Sequence, residues 1–451
     1  MFAVNRDVRR RPDGIGTILK LAIDSDRPRA TIRASRITQH RRARQRPSNR
    51  EPSASSLVVF WLRPLANQRK KRRRQCRSQE DFTEASGLTL DGVSIRYGDT
   101  VVLRRIDLTV RRGELIALLG SSGCGKTSLL RAVAGFVPLA TGRILVGDSD
   151  ISQLPAERRN CAMMFQSYAL WPHMTVAQNI AYGLRVRGWS KDRVDARVGE
   201  MLKLLQLDGY GPRMVDQLSG GQRQRVAMGR ALAIDPALLL LDEPMSNLDY
   251  RIRLELRHEI RALQQRLGIT TLYVTHDREE ALTLADRIVV LNAGEVAQSG
   301  TPEDVFHRPS SPFVAAFMGA DNTLDVIAPT AGGAANAWQL RDASKLAPGS
   351  DGVAFDLSHH PRAASLIGRG DIKLHFRSEA AQVVAVGAEH AGADAIRLPG
   401  SVEQTAYLGE HWRCRVRMGA ASVWVDTTTP LQVGSTAVVQ VPVSALHLFA
   451  A

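Results

Sequence analysis

The segment Gly120-Ser121-Ser122-Gly123-Cys124-Gly125-Lys126-Thr127 packs three glycines, an amine and three hydroxyls into eight residues. Those residue types suit phosphate chemistry. Glycines let the backbone curl so that successive N–H groups face phosphate oxygens. A helix opening at Thr127 and Ser128 and running to Gly135 adds the partial positive charge of its N-terminus. Lys126 would neutralise the β- and γ-phosphates, and the Thr127 hydroxyl would ligate Mg²⁺. The element that must position this loop is the apolar run Glu114–Leu119, which reads as a buried strand. Strand, loop and helix in that order separate a phosphate loop from a chance glycine-rich turn.

A pair of carboxylates lies 116 residues beyond Lys126. The run Ala237–Leu241 reads as a short buried strand, and Asp242-Glu243-Pro244 ends it. Beside a phosphate loop, Asp242 is expected to hold Mg²⁺ through water, and Glu243 to act as general base on the attacking water.

A third motif, Leu218-Ser219-Gly220-Gly221-Gln222-Arg223-Gln224-Arg225, starts the countdown to Asp242, with Ser219 23 residues before it. With these motifs in order, the chain resembles the ATP-binding subunits of ABC transporters. The resemblance implies that Ser219 and the N–H groups of Gly220 and Gly221 close over a γ-phosphate held by the phosphate loop of a second copy, as a helix N-terminus can. It further implies that Tyr97, in Ile-Arg-Tyr-Gly, stacks on adenine, since aromatic stacking tolerates any base. Gln166, in Met-Phe-Gln-Ser-Tyr-Ala, matches the glutamine that senses Mg²⁺ and the attacking water. Ser246-Asn-Leu-Asp249 matches the D-loop of the dimer interface. His276, 33 residues after Glu243 in Tyr-Val-Thr-His-Asp, matches the histidine that contacts the γ-phosphate. Two positions depart from the usual pattern: Tyr250 follows the D-loop where a small residue is commoner, and Ser378 stands in Phe376-Arg-Ser-Glu where the family usually has proline.

The resemblance implies an α/β fold: a P-loop NTPase core of ABC ATPase type over 86–320, with a RecA-like lobe, an antiparallel β subdomain and a helical subdomain at about 168–235. The spacing of apolar residues predicts amphipathic helices over Val176–Arg187 and Asp192–Leu205. Tyr168-Ala-Leu-Trp-Pro-His-Met-Thr-Val176 resembles the segment that receives a membrane subunit in importers of sugars, polyamines, ferric iron and phosphonates. Trp171 and Met174 are expected either to be exposed contact residues there or to belong to the subdomain core. Thr301-Pro302-Glu303 reads as a helix start, with Thr as cap and Pro in the first turn. Residues 322–451 carry short alternating runs, at Val383–Val386, Arg413–Met418 and Val438–Val441, and read as a small β-barrel. Ser401-Val-Glu-Gln-Thr-Ala-Tyr-Leu-Gly409 resembles the start of the TOBE accessory domain.

Charge separates the rest of the chain. The 451 residues carry a net charge of +15. Residues 1–85 hold 22 Lys and Arg against 8 Asp and Glu, whereas the remainder holds 38 against 37. Like-charge blocks such as Arg69–Arg74 repel and favour disorder. This segment is expected to be an extension from a start codon set too far upstream, a basic arm for nucleic acid or anionic lipid, or a targeting sequence. Four scattered cysteines form no C-x-x-C pair, which argues against a disulfide framework or a zinc site. No apolar run approaches the ~20 residues that span a bilayer.

The expected function is therefore the ATP-hydrolysing subunit of an ABC importer, acting as a homodimer on ATP and Mg²⁺ at the cytoplasmic face of a bacterial inner membrane. Its partners would be two membrane-spanning permease subunits and, indirectly, a periplasmic binding protein. The polyamine, ferric iron and aminoethylphosphonate group is favoured over sugars as cargo. The rival readings are an exporter ATPase and a soluble nucleic-acid-associated ABC ATPase. A single cassette without a long coiled-coil insert disfavours nucleic acid as a partner.

Overall fold

The computed structural model describes residues 86–330, 337–341, 354–384 and 394–451. The basic segment 1–85, and with it every reading of that segment, lies outside the described residues.

Two long strands, β1 (Ser86–Tyr97) and β2 (Thr100–Arg111), pair in antiparallel fashion. Along β2 every second residue from Ile106 onward, Ile106, Leu108 and Val110, is buried and its neighbours are exposed, as the period of a half-buried strand requires. The next strand, β3 (Leu115–Gly120), is buried at every position. A strand covered on both faces is read as a continuous apolar run rather than an alternating one. The phosphate loop follows, then α1 (Lys126–Ala134), β4 (Thr141–Val146), β5 (Ser149–Asp150) and β6 (Cys161–Met164). Three helices come next, α2 (Val176–Val186), α3 (Lys191–Leu204) and α4 (Gly220–Ala233), within two residues of where apolar spacing predicts the first two. The core strands resume with β7 (Leu238–Asp242), α5 (Tyr250–Leu267), β8 (Thr270–Val274), α6 (Arg278–Leu284), β9 (Arg287–Asn292) and β10 (Glu295–Gly300).

Strand order places the chemistry. The central sheet runs β10-β9-β3-β8-β7-β6, and its pairs are parallel except β9 with β10. Neighbouring parallel strands end on one edge, and ligands of such sheets bind at the carboxyl ends. Gly120 ends β3, His276 lies two residues past β8, Glu243 follows β7, and Gln166 lies two residues past β6. Four motifs far apart in sequence thus meet because four adjacent strands end together. A separate antiparallel sheet, β2-β1-β4-β5, forms the β subdomain.

Two short capped helices follow, α7 (Pro302–His307) and α8 (Pro312–Phe317). Thr301 accepts from the Asp304 amide and Pro302 opens α7, as the sequence predicts. The C-terminal part consists of two five-stranded sheets. One contains β11 (Asn322–Ile327), β12 (Trp338–Leu340), β13 (Ala354–Phe355), β14 (Asp371–Phe376) and, at its edge, the last strand of the chain, His447–Ala450. The other contains Gln382–Val384, Ala395–Tyr407, Trp412–Met418, Ala421–Thr427 and Thr436–Pro442. Both sheets bury their inner faces in one apolar core that joins Leu324, Trp338 and Leu374 to Val402, Val416 and Val423. The predicted run Val383–Val386 is strand as far as Val384, and its remainder is not among the described residues. Ser378 supplies what proline could not: its hydroxyl donates to Asp426 at 2.9 Å and accepts from Arg413 at 3.3 Å.

Candidate functional site

The phosphate loop is shaped by its glycines. Gly125 has φ 103°, and a Cβ there would meet Leu103 Cδ2 at 2.4 Å. A Cβ on Gly120 would stand 2.4 Å from the Leu291 carbonyl oxygen of the neighbouring strand. A side chain at either position would force the backbone or a neighbour to shift. Ser121, Ser122 and Gly123 face solvent, while Cys124 is buried beneath them. The ammonium of Lys126, 7% exposed, donates to the carbonyls of Gly120 at 2.7 Å and Ser121 at 2.9 Å. It therefore lies within the curl of the loop. Leu129 N–H bonds Gly125 O, so α1 starts with its first amides directed at the loop.

The Thr127 hydroxyl donates to Asp242 Oδ1 at 3.0 Å, joining the first turn of α1 to the end of β7. Asp242 is 5% exposed, and burial raises its carboxyl above the usual carboxylate range, opposed by the Thr127 hydroxyl and the charge of Arg131. A desolvated carboxylate beside a hydroxyl oxygen is a donor set of the hard oxygen kind that Mg²⁺ takes. The residues fit that ion, and bound there it would offset the cost of keeping Asp242 ionised.

Glu243 adopts φ 45°, in the left-handed region that a side-chain-bearing residue rarely enters. Its amide bonds the Val274 carbonyl at 3.0 Å, and its carbonyl accepts from the Ser246 hydroxyl at 3.0 Å. The strained backbone is thus held from both sides, as such conformations at functional sites must be. The Glu243 carboxylate then meets two partners: Gln166 Nε2 donates to Oε2 at 3.1 Å, and His276 Nδ1 stands 3.2 Å from Oε1. Together Thr127, Gln166, Asp242 and Glu243 line a cavity of about 490 Å³ with Arg131, Phe165, Ser167 and Asn247.

Arg131, Phe165 and Asn247 escaped the sequence reading. Arg131 lies four residues after Thr127, on the same helix face, and that spacing could have found it. Asn247 donates from its side chain to the Gln166 carbonyl at 2.9 Å, which ties the D-loop to the segment after β6.

Tyr97, the segment Leu218–Gln222, Asp249, Trp171 and Met174 are not among the residues that line this cavity. Tyr97 is 47% exposed, and its hydroxyl lies 3.4 Å from Ser128 Oγ, so its ring is free to stack over the loop. Ser219 caps α4: its hydroxyl accepts from the Gln222 amide at 3.3 Å while the Gln222 side chain accepts from the Ser219 amide at 3.0 Å. Leu218 is buried and Ser219 exposed, and the segment Leu218–Gln222, with Gly220 and Gly221, contributes nothing to the cavity lining. Asp249 caps α5 by accepting from Ile252, and Tyr250 is 63% exposed on the first turn. Trp171 and Met174 are half-buried rather than exposed. The Trp171 ring packs 4.0 Å from the Tyr182 ring, which withdraws much of it from solvent.

A phosphate loop on a parallel sheet, with two carboxylates, a glutamine and a histidine at the same strand ends, defines a nucleoside-triphosphate hydrolase of the P-loop class. Residues 103–246 match the ABC transporter family and residues 373–449 match the TOBE domain. The chain is 41% identical over 338 residues to the "Fe(3+) ions import ATP-binding protein FbpC" of Rhizobium etli, an alignment that covers 75% of this chain and 90% of that one. It is 51% identical over 237 residues to the protein of the same name from Brucella melitensis, covering 52% of this chain and 67% of the relative. It is 52% identical over 235 residues to the "sn-glycerol-3-phosphate import ATP-binding protein UgpC" of Ruegeria pomeroyi, again covering 52% and 67%. The chain belongs to the ABC transporter family as an ATP-binding, ATP-hydrolysing subunit with a C-terminal TOBE domain, and its relatives support import over the exporter alternative.

Proposed function

We propose that two copies of this chain hydrolyse two ATP at a shared interface and so drive an importer's permease subunits between inward- and outward-facing states. Lys126 and the amides of the loop from Gly120 to Ser128 bind the phosphates, and Tyr97 stacks on adenine. Thr127, Asp242 and Gln166 would hold Mg²⁺, which when bound neutralises charge on the β- and γ-phosphates. Glu243 accepts a proton from water as the water oxygen attacks the γ-phosphorus, the bond to the β-phosphate oxygen breaks, and ADP leaves. His276 and Gln166 fix the Glu243 carboxylate, and His276 also faces the γ-phosphate. The signature segment Leu218–Gln222 acts on the nucleotide of the second copy, which accords with its exposed cap and its place outside the cavity lining. Ser246 and Asp249 contribute to that interface.

The observation that carries this reading is the convergence on Glu243: a strained base held by Gln166 and His276 beside the Thr127–Asp242 pair. Residues 86–320 would form the ATPase domain and 322–451 the accessory domain. No helix among the described residues is long and apolar enough to cross a membrane, so the permeases must be separate chains or lie outside those residues. Their docking would hold this subunit at the cytoplasmic face of the membrane, with a periplasmic binding protein engaged indirectly. Ferric iron is the favoured cargo, supported by a relative named for Fe³⁺ import whose alignment covers 75% of this chain and 90% of its own. The 52% identical relative named for sn-glycerol-3-phosphate import supports a second reading, a phosphorylated polyol.

Affinity purification of a C-terminally tagged chain from gently solubilised membranes tests the assembly. Recovery of a multi-span permease pair is expected, and the permeases would then report the cargo. Recovery of ribosomes or DNA without permeases would overturn the transport reading.

A further inference from the structure

The turn that follows Gln166 is built from two consecutive residues in the left-handed region, Tyr168 at φ 62° and Ala169 at φ 47°. Neither is glycine, so the backbone there is disfavoured unless something holds it. Both carbonyls are gripped by one side chain. Arg230 Nη2 donates to Tyr168 O at 2.7 Å, and Nη1 donates to Ala169 O at 2.6 Å. The planar fork of a guanidinium suits two such acceptors, and an ammonium has no equivalent geometry. The guanidinium also lies 4.9 Å from the centre of the Trp171 ring. Trp171 is itself fixed, since its amide donates to Asn179 Oδ1 at 3.0 Å on α2.

Arg230 belongs to α4, which opens at the Ser219 cap. Eleven residues of helix separate the two, roughly 16 Å at the rise of an α-helix. One rigid element therefore carries the signature segment at its start and a latch on the Gln166 turn near its end. Gln166 is in turn the donor to Glu243 and the carbonyl partner of Asn247.

We propose that Arg230 is a positioning residue for hydrolysis: its guanidinium keeps the Tyr168–Ala169 turn left-handed, so that Gln166 stays on Glu243 and moves with the helix that carries Ser219. The proposal rests on the hydrolytic roles assigned above to Gln166 and Glu243. Arg230 is not among the residues that line the cavity. Its loss lets the turn relax toward ordinary backbone angles and carries Gln166 away from the base, leaving the phosphate loop intact. Ala169→Gly admits the left-handed conformation without strain, and so substitutes for part of the latch.

The test compares the full-length wild-type chain with Arg230→Met, Ala169→Gly, the double variant and Arg230→Lys, measuring kcat and KM for MgATP and binding of a fluorescent ATP analogue. Arg230→Met should lower kcat about tenfold, since sub-ångström misplacement of a catalytic group is that costly, with KM and analogue binding within about twofold. Adding Ala169→Gly should recover at least about a third of the lost rate, because glycine removes the backbone strain. Arg230→Lys, which keeps the charge and is the gentler change if the Met variant fails to fold, should show the same kcat defect in smaller degree. A wild-type kcat in Arg230→Met, a defect that Ala169→Gly leaves untouched, or a parallel loss of analogue binding would each overturn the proposal. Glu243→Gln in the same assay separates the two layers: if that variant hydrolyses ATP normally, the underlying hydrolytic reading has failed, whatever Arg230 does.

Discussion

Gln166 and Glu243, 77 residues apart in the chain, are joined by a 3.1 Å hydrogen bond from the Gln166 amide to the Glu243 carboxylate. The strands that carry them, β6 and β7, are neighbours in register, Met164 opposite Leu241. The glutamine therefore orients one carboxylate oxygen while His276, 3.2 Å away, faces the other. Removing the histidine frees that oxygen and, on the role proposed for His276, takes away a contact to the γ-phosphate. His276→Ala should lower kcat by about 10²-fold, the scale of a lost preorganised donor, with a smaller change in KM. Steady-state phosphate release would show it, and an unchanged kcat would remove His276 from the account.

Gly125 tests the phosphate loop without touching its charged groups. At φ 103°, with Leu103 where a Cβ would go, Gly125→Ala must move backbone or neighbour. The local strain is of order 1–3 kcal/mol, and it falls on the residue that caps α1. The variant should melt at lower temperature and bind ATP analogues weakly. Thermal melts and nucleotide titration check both, and wild-type behaviour in each would mean the loop is not held as described.

Cys124 offers a chemical probe of the same loop. Its thiol is 4% exposed and lies 3.7 Å from Lys126 Nζ. A small alkylating group attached there would crowd the ammonium and the curl of the loop. Nucleotide binding should fall in step with the fraction of Cys124 modified by mass spectrometry, and bound ATP should slow the modification. Full binding by a chain alkylated at Cys124 would contradict this.

The C-terminal domain should be acid-sensitive. His375 on β14 pairs directly with His447 in the last strand, and His360 bonds the Leu446 carbonyl nearby. Burial lowers the proton affinity of all three, and for His447 burial and then the charge of Arg377 take the value down to about 4. A histidine lowered in the folded state is protonated more readily when unfolded, so its stability contribution is present above pH 6.5 and is lost as pH falls toward 4. Melting temperature should drop across that window, and less so for His447→Gln. Equal acid sensitivity in the variant would assign the loss elsewhere.

The sequence was most legible where local chemistry dictates form. Glycines at 120 and 125, the all-apolar run before Asp242, and the Thr301–Pro302 helix start each have one physical meaning, and each folds accordingly. Contacts set by tertiary placement were not legible. Asn247 reaches the Gln166 carbonyl, and Arg230 reaches two others, because a carbonyl acceptor leaves no trace in residue type. Trp171 was ambiguous for a related reason: whether its ring faces water depends on Tyr182, a neighbour on another element. The C-terminal sheets were readable as alternation but not as pairing, since the last strand returns to β14 from more than 70 residues away.

The most direct measurement is ATP hydrolysis by Glu243→Gln, followed together with its oligomeric state in the presence of MgATP. The amide keeps the shape of the side chain and its hydrogen-bonding reach but cannot accept the proton of water. Hydrolysis should fall by about 10²–10⁴-fold, the range of general-base catalysis, while ATP accumulates in a stable dimer. Hydrolysis at the wild-type rate would show that Glu243 is not the base and that the convergence of Gln166 and His276 upon it has another purpose.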